Sequence, residues 1–194
     1  MPVIALLRHF PTDWNGEARL QGRADRPLTP EGRARLASLR LPAAWNRAEI
    51  VASPLSRARE TAEALSGGRA VRIDPALVEQ DWGAWEGRRS ADLLAEPDSG
   101  FVPTHRLGWH DRPPGGETRA EVWERVRPAL AALDRPAVVV THKGVMRVIL
   151  RLAGAPLDAE GTPEIKRARL YPVEIGPDGT PAAPGPAIRL EPRP

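Results

Sequence analysis

The sequence predicts a three-layer α/β/α domain, in which a mostly parallel central sheet carries helices on both faces. Three observations lead there. Short apolar runs alternate along the chain with segments of helical periodicity. Two of the helical segments open on a hydroxyl residue followed by proline, the chemistry of a helix start. The most apolar runs, Val3–Leu7 and Ala137–Val140, are short and uninterrupted, as strands buried in a parallel sheet are.

Val3–Leu7 reads as a strand that delivers Arg8 and His9 at its carboxyl end. Thr29-Pro30-Glu31 then starts a helix, with a capping hydroxyl, a proline in the first turn and an acid beside the dipole. Glu49–Ala52 is a second strand. Ser53-Pro54 repeats the start signal, and Leu55, Ala58, Ala62 and Leu65 follow at spacings of 3, 4 and 3, giving an amphipathic helix. Ala70–Ile73 is a third strand. Glu117–Leu133 places Val122, Val126, Leu130 and Leu133 on one face, and Pro128 predicts a kink or an end to its first half. Ala137–Thr141 is the most strand-like run and ends at His142; Gly144–Ala153 reads as a helix and Arg169–Ile175 as a late strand. Two stretches stand outside this alternation. Pro97–Gly116 is rich in proline and glycine, and the whole stretch 87–116 is expected to be a lid or insertion. Residues 172–194 hold seven prolines and are expected to form an edge strand or a wrapping tail, a candidate dimer contact. With no internal repeat, 1–194 is expected to be a single domain.

Composition limits the function. The 194 residues carry 28 Lys+Arg and 25 Asp+Glu, a net charge of +3. The sequence pI of about 10.1 is no sign of nucleic-acid binding. Only two lysines, one tyrosine and no cysteine titrate in the alkaline range, so a small surplus of charge moves the pI far. No basic block occurs, and neither a DNA nor an RNA partner is expected. The apolar runs fall far short of the ~18 residues a membrane span needs. Met1 is followed by no basic region and no small-residue cleavage site, so no secretion signal is expected. The absence of cysteine excludes disulfides, thiolate metal sites and cysteine nucleophiles, and accords with a cytoplasmic protein.

Ligands of open α/β sheets bind beyond the carboxyl ends of the strands. Two strands here end in histidine, His9 after Arg8 and His142 after Thr141, and a third leads into a helix whose first turn carries Arg57. Adjacent parallel strands would gather two imidazoles, two guanidiniums and helix N-termini at one edge, a setting for a dianionic phosphate. Either histidine alone would more often be a structural hydrogen-bonding residue. An arginine opposing a helix dipole is easier to understand with an anion before it.

The blocks that follow occur in a recognisable order: Leu7-Arg8-His9 with Thr12 and Asn15, Leu20-Gln21-Gly22, Asp25-Arg26-Pro27-Leu28-Thr29, Ser53-Pro54-Leu55-Ser56-Arg57-Ala58, Leu77-Val78-Glu79, Gly83-Ala84-Trp85-Glu86-Gly87, Pro114-Gly115-Gly116-Glu117-Thr118 and Val140-Thr141-His142. This chain resembles the histidine phosphatase superfamily, branch 1, which includes the cofactor-dependent phosphoglycerate mutases. The resemblance implies a phosphoglycerate mutase-like fold and a metal-independent phosphomonoester hydrolase, without a cofactor, acting on a small phosphorylated metabolite. It implies His9 as the nucleophile that becomes phosphohistidine. Arg8, Arg57 and His142 would hold the phosphoryl oxygens, with Asn15, Gln21, Gly22 and Lys143 as further phosphate contacts. Glu79 would be the general acid and then the base for water. The competing and less favoured reading of Glu79 is a surface acid in a turn.

Two positions depart from the family pattern. Phe10 stands where glycine usually follows the nucleophile, so it must point away or narrow the mouth. Lys143 stands where glycine usually follows the second histidine, and reads either as a rim charge or as a solvated lysine. The mutases' tandem arginine pair is missing where expected: Arg88-Arg89 comes too early, and Arg106 and Arg112 are scattered. Trp82 and Trp85 suggest an apolar wall, although tryptophans more often pack in cores. A phosphatase is therefore favoured over a mutase-type phosphotransferase. A non-catalytic phospholigand-binding protein is the other alternative, and a metal hydrolase built on His9, His105, His110 and His142 is disfavoured because no carboxylates stand at ligand spacing.

Overall fold

The structure, a computed structural model, describes residues 1–193. In chain order its elements are β1 (Val3–Arg8), α1 (Asp13–Gly16), α2 (Pro30–Ala37), β2 (Leu39–Arg40), β3 (Glu49–Ala52), α3 (Ser56–Leu65), β4 (Arg72–Ile73), α4 (Ser90–Ala95), α5 (Arg119–Ala131), β5 (Ala137–Thr141), α6 (Lys143–Leu152), β6 (Arg169–Ile175), β7 (Pro181–Ala182), β8 (Ile188–Arg189) and β9 (Glu191–Pro192). The main sheet has the order β4-β3-β5-β1-β6-β7, with β8 also on β6. β4, β3, β5 and β1 run parallel, and β6 returns antiparallel to β1.

The central strands alternate strictly. Ile4, Leu6 and Val139 face one core with Val122, Val126 and Leu130 of α5 and Val145, Met146 and Ile149 of α6. Ala5, Leu7, Val138 and Val140 face the other with Leu36 of α2 and Ala58, Ala62 and Leu65 of α3. Both faces are thus dry, which is why these strands are apolar without interruption.

Register sets the site. Arg8 stands opposite Thr141, so β1 and β5 end together. The His9 N–H donates to the Thr141 carbonyl at 3.0 Å, one step beyond the strand. His9 and His142 therefore leave neighbouring strands side by side.

Three elements differ from expectation. α3 begins at Ser56, not at Ser53-Pro54; the Ser53 hydroxyl accepts from the Leu55 N–H at 3.3 Å in a turn before the helix. α5 runs through Pro128 as one element. Its start is fixed by Thr118, whose hydroxyl accepts from the Glu121 N–H at 3.1 Å, and by the reciprocal bond to the Glu121 carboxylate. The hydrogen bond forfeited at Pro128 is outweighed by the buried face of Val122, Val126 and Leu130. The third predicted strand shrinks to Arg72–Ile73, because Arg69 is held by the Ser66 and Ala48 carbonyls and directs the preceding residues into a connection.

Within 87–116 and its approach, Trp82, Trp85, Leu93 and Leu107 form a small apolar cluster, with Phe101 edge-on to Trp85 at 5.0 Å. Arg119 at the start of α5 ties this stretch down by donating to the Thr104 and Leu107 carbonyls, each at 2.6 Å. The proline-rich segment contributes β7 and β8 to the sheet edge, and β9 pairs with β2. No helix among the described residues is long and apolar enough to cross a membrane.

Candidate active site

At the carboxyl edge of the sheet lies a cleft of about 160 Å3. Arg8, His9, Asn15, Gln21, Glu79 and Lys143, all singled out in the sequence, line it. Arg19, Arg119 and Arg147 line it as well, so five cationic side chains face the single carboxylate of Glu79.

His9 is buried, and its Nδ1–H donates to the Phe10 carbonyl at 2.7 Å. A carbonyl only accepts, so the proton sits on Nδ1 and Nε2 keeps its lone pair. Burial, reinforced by the charges of Arg57 and Arg8, holds the imidazole pKa well below the usual histidine value, so the ring is neutral. Phe10 points away from the cleft. It is fully buried against α2 and α3, and its N–H donates to the Thr61 hydroxyl at 3.1 Å.

Arg57, His142 and Gly22 do not line the cleft; they sit directly behind it. Arg57 is fully buried and donates to His142 Nδ1 at 3.2 Å, to the Ala24 carbonyl at 2.9 Å and to the Gly22 carbonyl at 2.7 Å. Since Nδ1 of His142 accepts, its Nε2–H donates to the Ser53 hydroxyl at 2.8 Å. Both ring nitrogens of His142 are thus engaged by protein, and burial and Arg57 push its pKa far down. The His9 and His142 rings lie 5.2 Å apart. A side chain at Gly22 would put Cβ 2.6 Å from the Gln80 carbonyl oxygen, so this position needs glycine for a close backbone approach.

Glu79 reaches the site from the loop behind β4, which Thr141 anchors by donating its hydroxyl to the Leu77 carbonyl at 2.7 Å. Its carboxylate lies on the first turn of α6. Oε1 accepts from the N–H groups of Gln80 (2.8 Å) and Val145 (3.2 Å), and Oε2 from Gly144 (2.9 Å). One acceptor position on Oε2 is left for a transferable proton. A methyl group at Gly144 would stand 3.1 Å from the Glu79 carboxyl carbon and 3.4 Å from Gln80 Cβ, and closer still to Oε1. Gly144→Ala is therefore expected to push the carboxylate off these amides and lower kcat about ten- to a hundredfold. The gain of up to about 1 kcal/mol from replacing a helical glycine should keep the unfolding midpoint near wild type. Steady-state rates on an alkyl phosphate beside a urea melt read both; an unchanged kcat would separate Glu79's position from turnover.

Three buried donors have no partner among the described residues: Arg8 Nε, Gln21 Nε2 and Arg147 Nε, and all three residues line this cleft. Leaving such groups unpaired costs about 1–3 kcal/mol each, which a bound anion would recover. Arg167 backs the site, donating to the His9 carbonyl at 3.2 Å and to Asn15 Oδ1 at 2.7 Å. Burial lowers Arg57 and Arg167 to about 10 and Lys143 to about 8.

The sequence motifs missed Arg147 and Arg167, and marked Ser53 only as a helix start. Arg147 had a legible signal, since it lies one helical turn beyond Lys143 on the helix that follows His142. Arg167 had none, because the approach of the β6 entry to His9 depends on the antiparallel return of that strand.

An α/β fold with a cationic cleft at the carboxyl edge of its parallel strands, and a neutral histidine at its base, defines a phosphate-handling enzyme class. The chain belongs to the histidine phosphatase superfamily (branch 1), matching it over residues 4–183. It is 34% identical over 175 residues to the glucosyl-3-phosphoglycerate phosphatase of Mycolicibacterium vanbaalenii, covering 80% of this chain and 76% of that one. It is 36% identical over 170 residues to the probable phosphoglycerate mutase GpmB of Cronobacter sakazakii, covering 82% and 79%. The crystal structure of phosphoglycerate mutase from Thermus thermophilus superposes with a TM-score of 0.67 at 35% identity, covering 89% of this chain and 92% of that one. The mycobacterial glucosyl-3-phosphoglycerate phosphatase complexed with VO3 gives 0.70 at 30% identity, covering 90% and 93%. The chain is thus a histidine phosphatase-type enzyme of a family acting on small phosphorylated metabolites, with the phosphoglycerate mutase fold.

Proposed function

We propose that this protein hydrolyses a phosphomonoester, without a metal, through a phosphohistidine on His9. The observation that carries the reading is the Nδ1–H bond from His9 to the Phe10 carbonyl, which leaves Nε2 free and neutral inside the cationic cleft. Nε2 attacks phosphorus in line, the P–O ester bond breaks, and Glu79 gives a proton to the leaving oxygen. Glu79 then takes a proton from water as the water oxygen attacks phosphorus, which releases inorganic phosphate and restores His9.

Arg8, Gln21 and Asn15 supply donors to the phosphoryl oxygens: all three line the cleft, and Arg8 Nε and Gln21 Nε2 have no other partner among the described residues. Arg57 and His142 act from behind: Arg57 spends three of its five N–H groups on His142 and the 22–24 loop, His142 spends its Nε2–H on Ser53, and burial together with the charges of Arg57 and Arg8 keeps His9 neutral. The shared sheet between the two cores supports one domain over 1–194, with 87–116 as the lid. Composition supports a cytoplasmic site of action.

Hydrolysis is favoured over mutase-type transfer because the arginines of the insertion do not line the cleft. Arg88 pairs with Glu96 and Arg112 with Glu121, and none of Arg88, Arg89, Arg106 and Arg112 lines the cleft. The test is phosphate release from a panel of phosphomonoesters in EDTA. Release undiminished by the chelator is expected. Loss of release on chelation would overturn the metal-free reading, and migration of the phosphoryl group within a substrate without release would make the enzyme a mutase.

A further inference from the structure

The phosphoryl site leaves positive charge in the cleft unaccounted for. A bound phosphoryl dianion is expected against His9 and Arg8, yet Lys143 and Arg147 also line the cleft with no carboxylate partner among the described residues. Both project from α6 one turn apart, at positions i and i+4, so their charged ends share one face. Arg147 spends one amine group on the Thr162 hydroxyl at 3.3 Å, while its buried Nε donates to nothing. The acids nearest to this pair are otherwise occupied. Glu79, whose charge reaches Arg147, is held by the Gln80, Gly144 and Val145 amides, Asp158 accepts from Thr162 and from the Glu160 N–H, and Glu160 lies 3.8 Å from His105. Arg119 and Arg19 also line the cleft, but Arg119 is used on the Thr104 and Leu107 carbonyls and Arg19 on Glu17. Two cations side by side on one wall of a half-buried cleft repel unless something anionic lies against both, and burial together with that repulsion already weakens the proton on Lys143.

We infer that Lys143 and Arg147 form a second anion subsite, specific for substrates whose non-transferred end bears its own anionic oxygen group, a carboxylate or a second phosphoryl. This rests on the reading of the cleft as the phosphoryl site. It makes Lys143, the position that departs from the family's glycine, a specificity-determining residue, and Arg147 its partner. Arg147 supplies directed N–H donors and Lys143 a point charge at the rim. Arg8 and Gln21 remain for the transferred group.

The test uses equilibrium binding, so that it does not depend on turnover. His9→Ala protein is titrated calorimetrically with 3-phosphoglycerate and with glycerol 3-phosphate, a pair differing by a carboxylate in place of a hydroxymethyl group. Fructose 1,6-bisphosphate and fructose 6-phosphate make the same comparison for a second phosphoryl. At least about tenfold tighter binding of the doubly anionic member of one pair is expected, and the pair that shows it names the group. Added to His9→Ala, Arg147→Gln should remove most of that gap, Lys143→Met should shrink it, and Arg147→Lys should keep part of it. Equal affinities within both pairs would overturn the subsite, as would a gap that survives both Arg147→Gln and Lys143→Met. If Arg147→Gln fails to fold, Lys143→Met at the rim still decides the matter. Wild-type phosphate release is measured beside these titrations: no release with the gap intact would retire the hydrolytic reading and leave the subsite standing.

Discussion

His9→Ala is expected to lower turnover by about four to six orders of magnitude while the fold persists, as removal of a nucleophile does in other covalent mechanisms. The substitution deletes Nε2, the imidazole nitrogen whose lone pair is left for the cleft because Nδ1 is committed to the Phe10 carbonyl. Residual activity within tenfold of wild type would end the phosphohistidine mechanism. The pH behaviour gives an independent reading. His9 is active when neutral, and its pKa is held well below 6.5, so the acid limb of kcat/KM should lie below that value. Stability carries the opposite cost. In the unfolded chain His9 and His142 take up protons below about pH 6.5, whereas the folded protein resists both protonations. Unfolding therefore binds protons in that range, and stability present above pH 6.5 is lost as the pH falls, by up to about 1.4 kcal/mol per pH unit for each histidine. Denaturant melts between pH 7 and pH 5 should show His9→Ala losing less stability than wild type over the same interval. Parallel losses would mean that His9 is not held neutral in the fold.

Much of this arrangement was legible in the sequence because it lies close to the strands. The uninterrupted apolar runs Val3–Leu7 and Ala137–Val140 forced parallel, doubly covered strands, and both end on the residues that meet at the sheet edge. Direction was the harder part. Arg57 follows a strand and sits in a helix's first turn, which suggested a guanidinium facing a ligand; in the structure one N–H from each of its three nitrogens goes to His142, Ala24 and Gly22, which holds the group behind the cleft wall. The competing acceptors come from a loop some thirty residues earlier, a distance at which local pattern carries no information. Ser53 was misplaced for the same reason. Its hydroxyl looks like a helix cap but is claimed by the imidazole of His142, and the first N–H of α3, that of Ser56, donates instead to the Asp25 carboxylate at 2.7 Å. Phe10 resolved the other way: Thr61 and the core around α3 draw it inward, and the cleft keeps its mouth.

Glu79→Gln should separate the two halves of the reaction. The wild-type carboxylate accepts three N–H bonds at the head of α6, two on Oε1 and one on Oε2. A glutamine can keep its carbonyl oxygen toward Gln80 and Val145, but it then turns an amine toward the Gly144 N–H and has no proton to give. With alkyl phosphates the leaving alkoxide needs that proton, and the first turnover should slow by about 10²–10⁴-fold. With p-nitrophenyl phosphate the leaving group departs unassisted, so phosphorylation of His9 should stay fast while water attack on the phosphohistidine, deprived of its base, becomes limiting. The expected signature is a burst of nitrophenol near one equivalent per enzyme followed by a slow steady state. The burst phase must also survive in EDTA if metal ions have no part. A burst slowed as much as the alkyl ester's first turnover would deny Glu79 the role of acid and leave it the lesser one of filling the N-terminus of α6, since a proton donor matters in proportion to the basicity of the oxygen that leaves.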